Sequence, residues 1–446
     1  MTTPLICAEF NEAQLLSSGA FALVQSALNQ GANALKINIE NADSADELFR
    51  VASQLPLQTN EIFWSGDEES LVKIRTLSNQ AHIMAPWKKI AAPSGEDLGA
   101  PSPQFLSADY SLITQKTIKA AHGLGVKVAS SEIDNLPTLR WAVAIGIDLI
   151  VTTHFKELQK IISAGPTLDI SGAQKTTLDE VEVDRAMDVA RILGKWAIHA
   201  ASTMEPGEIT FKKSAADFVT EIDVLIEAHV REVIAANFKG HNFVGEEMGG
   251  KFEEDTASWY LDPIDGTTNF ANHLPWTSFS FGLAFNRTPL VGIVIDTWRN
   301  EIFEAQRGKG AKRNGTPIVV EDQGEIENPL GSRIVSTELA AHKPWPGMYA
   351  LIDGLAENFC TTRVMGSGTL TMVGVALRRG VGSVVAEFSP IDHLASILIV
   401  HEAGGVVWDE EGEVNLFPQK GGVMASTKAA SEPLYELWMS AIGRRK

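Results

Sequence analysis

Short apolar runs alternate with helical patterns over the first 165 residues. Pro4–Ala8, Ala34–Ile39, Glu61–Trp64, His82–Ala85, Gly125–Ala129 and Ile147–Val151 read as strands. Between them, Ala20–Gln30 sets Phe21, Val24 and Leu28 at helical spacing, and a second helix carries Leu71, Ile74 and Leu77. Leu136–Gly146 is a helix stopped by glycine. Strand–helix–strand alternation implies parallel pairing through right-handed crossovers. Ala91–Pro103, rich in Pro, Gly and Ser, reads as a long loop, and Ser163–Gln174 as a connection between domains.

The pattern then changes. Ala186, Val189, Ile192, Leu193 and Trp196 mark one helical face; Ile222, Leu225, Ile226, Val230 and Val233 mark another. Strands are expected at Phe243–Gly245, Trp259–Leu261, Ser278–Phe285, Leu290–Trp298, Arg333–Ser336, Thr361–Met365 and Ser383–Phe388. A hairpin lies around Arg307–Asn314, an apolar helix over His393–Ala403, and a terminal helix near Pro433–Ile442. Strands in runs imply stacked layers of helix and sheet. The expected organisation is α/β and α+β: a domain over 1–165, a linker over 166–182, and a second domain over 183–446.

Composition narrows the partners. A chain of 446 residues exceeds one ordinary core. Its 56 acidic and 37 basic residues leave a net charge of −19, which repels nucleic acid and anionic lipid. The two cysteines, Cys7 and Cys360, are too far apart in sequence for a zinc motif or a disulfide framework. No apolar run nears the roughly 20 residues that span a bilayer. The opening Met1–Cys7 lacks a basic-then-apolar signal pattern, so a cytoplasmic protein is expected.

Asp262-Pro-Ile-Asp265-Gly-Thr-Thr-Asn269 follows the apolar strand Trp259–Leu261. Carboxylates at a strand exit can converge, Pro263 stiffens the turn, and the Ile264 carbonyl can add a hard oxygen ligand. Gly266 allows close backbone approach, and Thr267-Thr268 can open a helix toward a phosphate. Glu246-Glu247 follows another strand, and Asp392 starts the long apolar helix, where it can equally be an N-cap. Glu246, Asp262, Asp265 and Asp392 form an all-oxygen set, which selects Mg²⁺, with Mn²⁺ as the alternative, over Zn²⁺. Carboxylates on two such ions suit phosphoryl transfer.

From about Asp184 onward the chain resembles the inositol monophosphatase family. The resemblance runs through Lys213-Ser-Ala-Ala-Asp217-Phe-Val-Thr220-Glu-Ile-Asp223, Gly245-Glu-Glu247, Asp262–Asn269 and Gly308-Lys-Gly-Ala311. It continues through Asn314-Gly315, Gly366-Ser-Gly368, and Asp392 with Glu402-Ala-Gly-Gly405. It implies a layered αβαβα sandwich and a phosphoric monoester hydrolase using two or three Mg²⁺ ions. Glu246, Asp262 and the Ile264 carbonyl would hold one ion, and Asp262, Asp265 and Asp392 a second. Glu246 and Thr267 would orient the attacking water, with Thr220 and Asp223 supporting Thr267. Gly266, Thr267 and Thr268 would hold phosphate, Gly366, Ser367 and Gly368 would contact substrate, and Lys213 and Asp217 would lie on a third-metal loop. Homodimerisation and lithium inhibition are further family expectations. Relatives acting on inositol phosphates often carry an acid where this chain has Val385, and a Trp where it has Ile391. Glu387 is the nearest acid.

The first segment resembles glycerophosphodiester phosphodiesterases, which are TIM-type barrels. Ala27–Leu35, Asp109–Thr114, Ala120–Val128 and Ala144–Thr152 carry that resemblance. The segment is short for such a barrel, so an incomplete or contracted one is expected. Glu9-Phe10 replaces the family's His-Arg pair, Ser18 an acid, and Lys36-Ile-Asn38 its Glu-x-Asp metal pair. A lysine repels the ion it should bind, so the domain is expected to be non-catalytic. His122 is expected to be structural.

The resulting expectation is a Mg²⁺-dependent phosphomonoesterase acting on a small phosphorylated alcohol: inositol, sugar, glycerol, histidinol or nucleotide. The alternatives are a metal-binding regulatory or ligand-sensing protein with little turnover, and a bifunctional phosphodiesterase–phosphatase.

Overall fold

The computed structural model describes residues 3–444 apart from 90, 99–101, 170–174, 204–208, 215–216, 254, 321–323, 325 and 341–342, with backbone alone at 97, 201–203, 209–214 and 217–219. The chain separates into two compact units: Met1–Ile170 with Arg231–Lys239, and Ser171–Val230 with Gly240–Lys446. The linker expected over 166–182 falls partly on 170–174, outside the described residues.

The first unit is a barrel of seven strands: β1 (Leu5–Asn11), β2 (Ala34–Ile39), β3 (Ile62–Gly66), β4 (His82–Trp87), β5 (Phe105–Ala108), β6 (Lys127–Glu132) and β7 (Leu149–Val151). All neighbours are parallel in chain order, and β7 returns to β1 through Leu5↔Leu149. The barrel is not incomplete: it closes, with seven strands where the TIM arrangement has eight. Every strand contributes to its filling, as Cys7, Ala34, Phe63, Met84, Phe105, Ala129, Leu149 and Val151 form one buried cluster. Two positions beyond Cys7 and Ala34, side chains return to the same face. There the Lys36 ammonium meets the Glu9 carboxylate at 3.1 Å. His122 lies 2.7 Å from Asp148, which also accepts the Val128 amide.

The second unit opens with helix Glu180–Thr203 and, up to Val230, helix Glu221–Asn237, joined by the hairpin strands β8 (Ile209–Ser214) and β9 (Asp217–Thr220). Next come β10 (Asn242–Gly245), β11 (Ser258–Asp265), β12 (Ser278–Phe285), β13 (Thr288–Asp296), β14 (Glu301–Gln306), β15 (Ala311–Arg313) and β16 (Thr316–Ile318). They form one sheet in chain order, parallel between β10 and β11 and antiparallel elsewhere. A second sheet contains β17 (Ile334–Thr337), β18 (Thr361–Arg363), β19 (Gly382–Val385), β20 (Val406–Asp409) and β21 (Val423–Ser426), in the order β18-β17-β19-β21-β20. Helix Pro390–Glu402 packs against both sheets. Helix Glu180–Thr203 covers the first sheet, and helix Ser431–Ala441, paired with Met348–Glu357, covers the second.

Two glycines fix the central contact. Gly282 and Gly292 face each other across β12 and β13. A Cβ on Gly282 would come 2.3 Å from Leu394 Cδ2, and one on Gly292 2.9 Å from the Ala395 backbone. Their lack of side chains lets helix Pro390–Glu402 lie directly on the sheet, which sets where its first turn ends up. Among the described residues, no helix is long and apolar enough to cross a membrane.

Candidate active site

The site starts from a fault in β11. Asp262 pairs with Ser280 but Asp265 pairs with Ser278, so three steps on β11 match two on β12. In a regular strand, residues three apart face opposite sides. The extra residue of this bulge, placed at Pro263-Ile264, turns both carboxylates the same way. Beside Leu261, β10 ends at Gly245, and the Glu246 amide donates to the Leu261 carbonyl at 3.1 Å. Glu246 therefore emerges next to Asp262. Buried Glu227, on helix Glu221–Asn237, accepts the Glu247 and Met248 amides at 2.7 and 3.0 Å and holds this turn.

Asp392 comes from the first turn of helix Pro390–Glu402. The Thr369 hydroxyl donates to its carbonyl at 2.6 Å, and the Ser280 hydroxyl to the Ile391 carbonyl at 3.2 Å. Glu246, Asp265 and Asp392 line one cavity of about 600 Å³ together with Gly266, Thr267, Thr268, Gly366 and Gly368. Asp262 lies behind it, 3% exposed.

The electrostatics are strained. Burial first, then the charges of Glu246, Asp265 and Asp392, push Asp262 well above the usual carboxylate range. Asp392 rises for the same reasons, burial first, then Asp265 and Glu246. Burial also raises Asp265, against hydrogen bonds from Ser367 and Thr369 that favour its charged form. Like charges at this density favour protonation unless a cation lies among them. One Asp262 oxygen, Oδ1, is buried with no hydrogen-bond partner among the described residues. An all-oxygen donor set with an unmet buried oxygen fits a hard divalent cation. Among the described residues, no three His, Cys, Asp or Glu side chains are already gathered as a metal cage.

The remaining expected residues divide. Gly266 adopts φ 88° at the start of helix Thr267–Ala271, and the Thr267 hydroxyl donates to the Ile264 carbonyl at 3.1 Å. Thr220 donates to Asp223 through its amide, at 2.9 Å, and through its hydroxyl. Strand β9, which ends at Thr220, packs against helix Thr267–Ala271. Ser367 does not reach the cavity as expected of a substrate contact. It is fully buried and its hydroxyl donates to Asp265 at 2.5 Å, alongside the Thr369 amide at 2.8 Å. Lys213 and Asp217 lie on β8 and β9, and their side chains fall outside the described residues.

Glu338 was not among the expected residues. It follows β17 and accepts the Met365 and Gly366 amides at 3.2 and 2.8 Å and the Thr371 hydroxyl. The signal for it was an acid directly after a strand end, the same one that marks Glu246. Glu338→Gln would set an amide NH₂ against one of these donors. A roughly tenfold fall in kcat/KM, at about 1.5 kcal/mol for a charged hydrogen bond, is the expected result in steady-state assays. Unchanged kinetics would remove Glu338 from the account.

Carboxylates that line one cavity, beside a glycine that opens a short helix, on layered sheets and helices, fit a phosphatase-like α/β sandwich. Residues 177–441 match the inositol monophosphatase family, and the chain belongs to that family. It is 35% identical to the Nus factor SuhB of Haemophilus influenzae over 218 residues, which cover 48% of this chain and 80% of that protein. It is 36% identical to inositol monophosphatase 3 of Solanum lycopersicum over 208 residues, 45% of this chain and 76% of that one. The solved IMPase of Thermotoga maritima superposes with a TM-score of 0.52 and 27% identity, covering 58% of this chain and 98% of its own. The suhB extragenic suppressor protein of Bartonella henselae gives 0.51 and 26%, covering 57% and 98%.

Proposed function

We propose that the second unit is a Mg²⁺-dependent phosphomonoesterase that releases inorganic phosphate and a small alcohol. The observation that carries this reading is the β11 bulge, which turns Asp262 and Asp265 toward Glu246 and Asp392. Glu246, Asp262 and the Ile264 carbonyl would hold one ion, and Asp262, Asp265 and Asp392 another. A third, weaker ion would sit near the Lys213–Asp217 loop. Bound Mg²⁺ would supply Lewis acidity to the phosphoryl group and lower the pKa of the attacking water.

The chain's own groups do the rest. Glu246 and Thr267 orient the water, with the Thr267 hydroxyl anchored on the Ile264 carbonyl. The Thr220–Asp223 pair backs that helix. Amides of Gly266 and Thr267 hold phosphate oxygens, and Gly366 and Gly368 leave room for the ester. Donors fixed before substrate arrives need no reorganisation during phosphoryl transfer. Relatives named inositol monophosphatase support turnover. Relatives named Nus factor favour a second reading, a regulatory protein that keeps the metal site.

The barrel fits a degenerate, non-catalytic relative of glycerophosphodiester phosphodiesterases, because the Lys36 ammonium pairs with Glu9 where that family places metal ligands. Its role is then assembly or ligand sensing. A chelator series tests the main reading. Phosphate release should vanish in excess EDTA and return with added Mg²⁺; turnover that persists in chelator would refute the metal mechanism.

A further inference from the structure

Away from the carboxylates, the cavity is lined by Leu339, Val364, Val385, Ala386 and Phe388. Leu339 is 45% and Val364 42% exposed, so apolar side chains stand open to solvent on this rim. Val385 is 4% exposed, at the end of β19. Phe388 packs edge-on against Phe417, with ring centroids 5.6 Å apart, which gives that wall an aromatic backing.

Asn269, Glu338, Glu387, Ser389 and His393 also line the cavity. The Glu338 carboxylate already accepts from Met365, Gly366 and Thr371. The His393 ring lines the cavity; its Nδ1 accepts the Ser389 amide at 3.0 Å, which puts the ring proton on Nε2. Glu387 is exposed and can remain hydrated. A polyol could pair hydroxyls with Glu387, Ser389 and His393, but those facing Leu339, Val364 and Phe388 would lose water without gaining a partner, and such unpaired groups are what specific sites reject. A flat apolar group would lose little water that it needs and would cover Leu339, Val364 and Phe388. A cavity of about 600 Å³ takes one ring plus a phosphate.

We infer that the alcohol half of the substrate carries an aromatic or heteroaromatic ring and is not a polyol, with Val385, Leu339 and Val364 setting that preference. The inference rests on the phosphomonoesterase reading of the same cavity. It goes beyond that reading by naming the class of alcohol.

The test is kcat/KM of the full-length protein with Mg²⁺ for benzyl and phenethyl phosphate against an inositol monophosphate and glycerol phosphate. Benzyl-type esters keep an alkyl alcohol as leaving group, so ring recognition is not confused with an easier departure. The ring esters should lead by about tenfold or more, the scale at which hydrophobic pockets discriminate. Leu339→Asn, at an exposed position, should lower kcat/KM for ring esters about tenfold, mostly through KM, and lower it less for glycerol phosphate, so that the ratio between the two falls. Val385→Glu should shift preference toward the polyols; because Val385 is buried, Leu339→Asn carries the test if that variant does not fold. Polyol esters turned over as well as ring esters would overturn the inference and leave the phosphatase standing. No turnover of either class would overturn both.

Discussion

Asp265→Asn is expected to cut metal-dependent phosphate release about a thousandfold, on the order of 4 kcal/mol of transition-state stabilisation. The reason lies in how Asp265 is held. Its Oδ2 receives the Ser367 hydroxyl at 2.5 Å, the Thr369 amide at 2.8 Å and the Ser278 hydroxyl at 3.4 Å. Those donors fix the carboxylate on a bulged strand and commit one oxygen to the protein. Asp265 also lines the cavity. An asparagine that keeps its oxygen on these donors turns its NH₂ toward the cation. One that flips sets NH₂ against Ser367 and Thr369. Either way a negative charge is lost where it serves a divalent ion. Initial rates under saturating Mg²⁺ measure the effect, and a variant within tenfold of wild type would exclude Asp265 from the metal site.

Asp262→Asn should raise the stability of the metal-free protein while ending its activity. Asp262 is 3% exposed, has an oxygen without a hydrogen-bond partner among the described residues, and is raised well above its ordinary value of 3.8 by burial and by neighbouring charges. The native state therefore binds this proton more tightly than the unfolded chain does. From about pH 3.8 upward, stability falls as pH rises, until the native carboxyl has also ionised, and it stays lowered above that point. Asparagine removes that penalty. A gain of about 1–2 kcal/mol in EDTA near neutral pH is expected, or roughly 3–6 °C in melting temperature. Added Mg²⁺ should raise the wild-type melting point and move the variant much less. A variant that melts below wild type in EDTA would contradict the strain assigned to Asp262.

The parts of this site that were legible in the sequence are local. Asp262, Asp265, Gly266 and Thr267 sit within one turn, and their residue types name the chemistry. The bulge was not legible, because it exists only in the register of β11 on β12. Gly282 and Gly292 were visible as glycines, yet their meaning comes from Leu394 and Ala395, about a hundred residues later. Strand β14 is not legible in the sequence because Glu301 and Glu304 interrupt its apolar pattern. Both are buried, and arginines from other elements neutralise them: Arg313 and Arg379 at Glu301, Arg191 at Glu304. Likewise β1 runs past Ala8 to Asn11, carrying Glu9 to its partner Lys36 on β2. Strand β5 is four residues long and follows a Pro-rich loop, too short for periodicity to reveal. The family resemblance implies a substrate contact at Ser367, whereas its hydroxyl serves Asp265.

The central claim is that these carboxylates perform metal-dependent ester hydrolysis. Its most direct test is phosphate release from a broad phosphomonoester panel by the full-length protein, with and without Mg²⁺, beside Asp262→Asn. The account predicts turnover that requires the metal and is lost in a variant that remains folded. Turnover by Asp262→Asn, or none by a folded wild-type protein with Mg²⁺ bound, would contradict it.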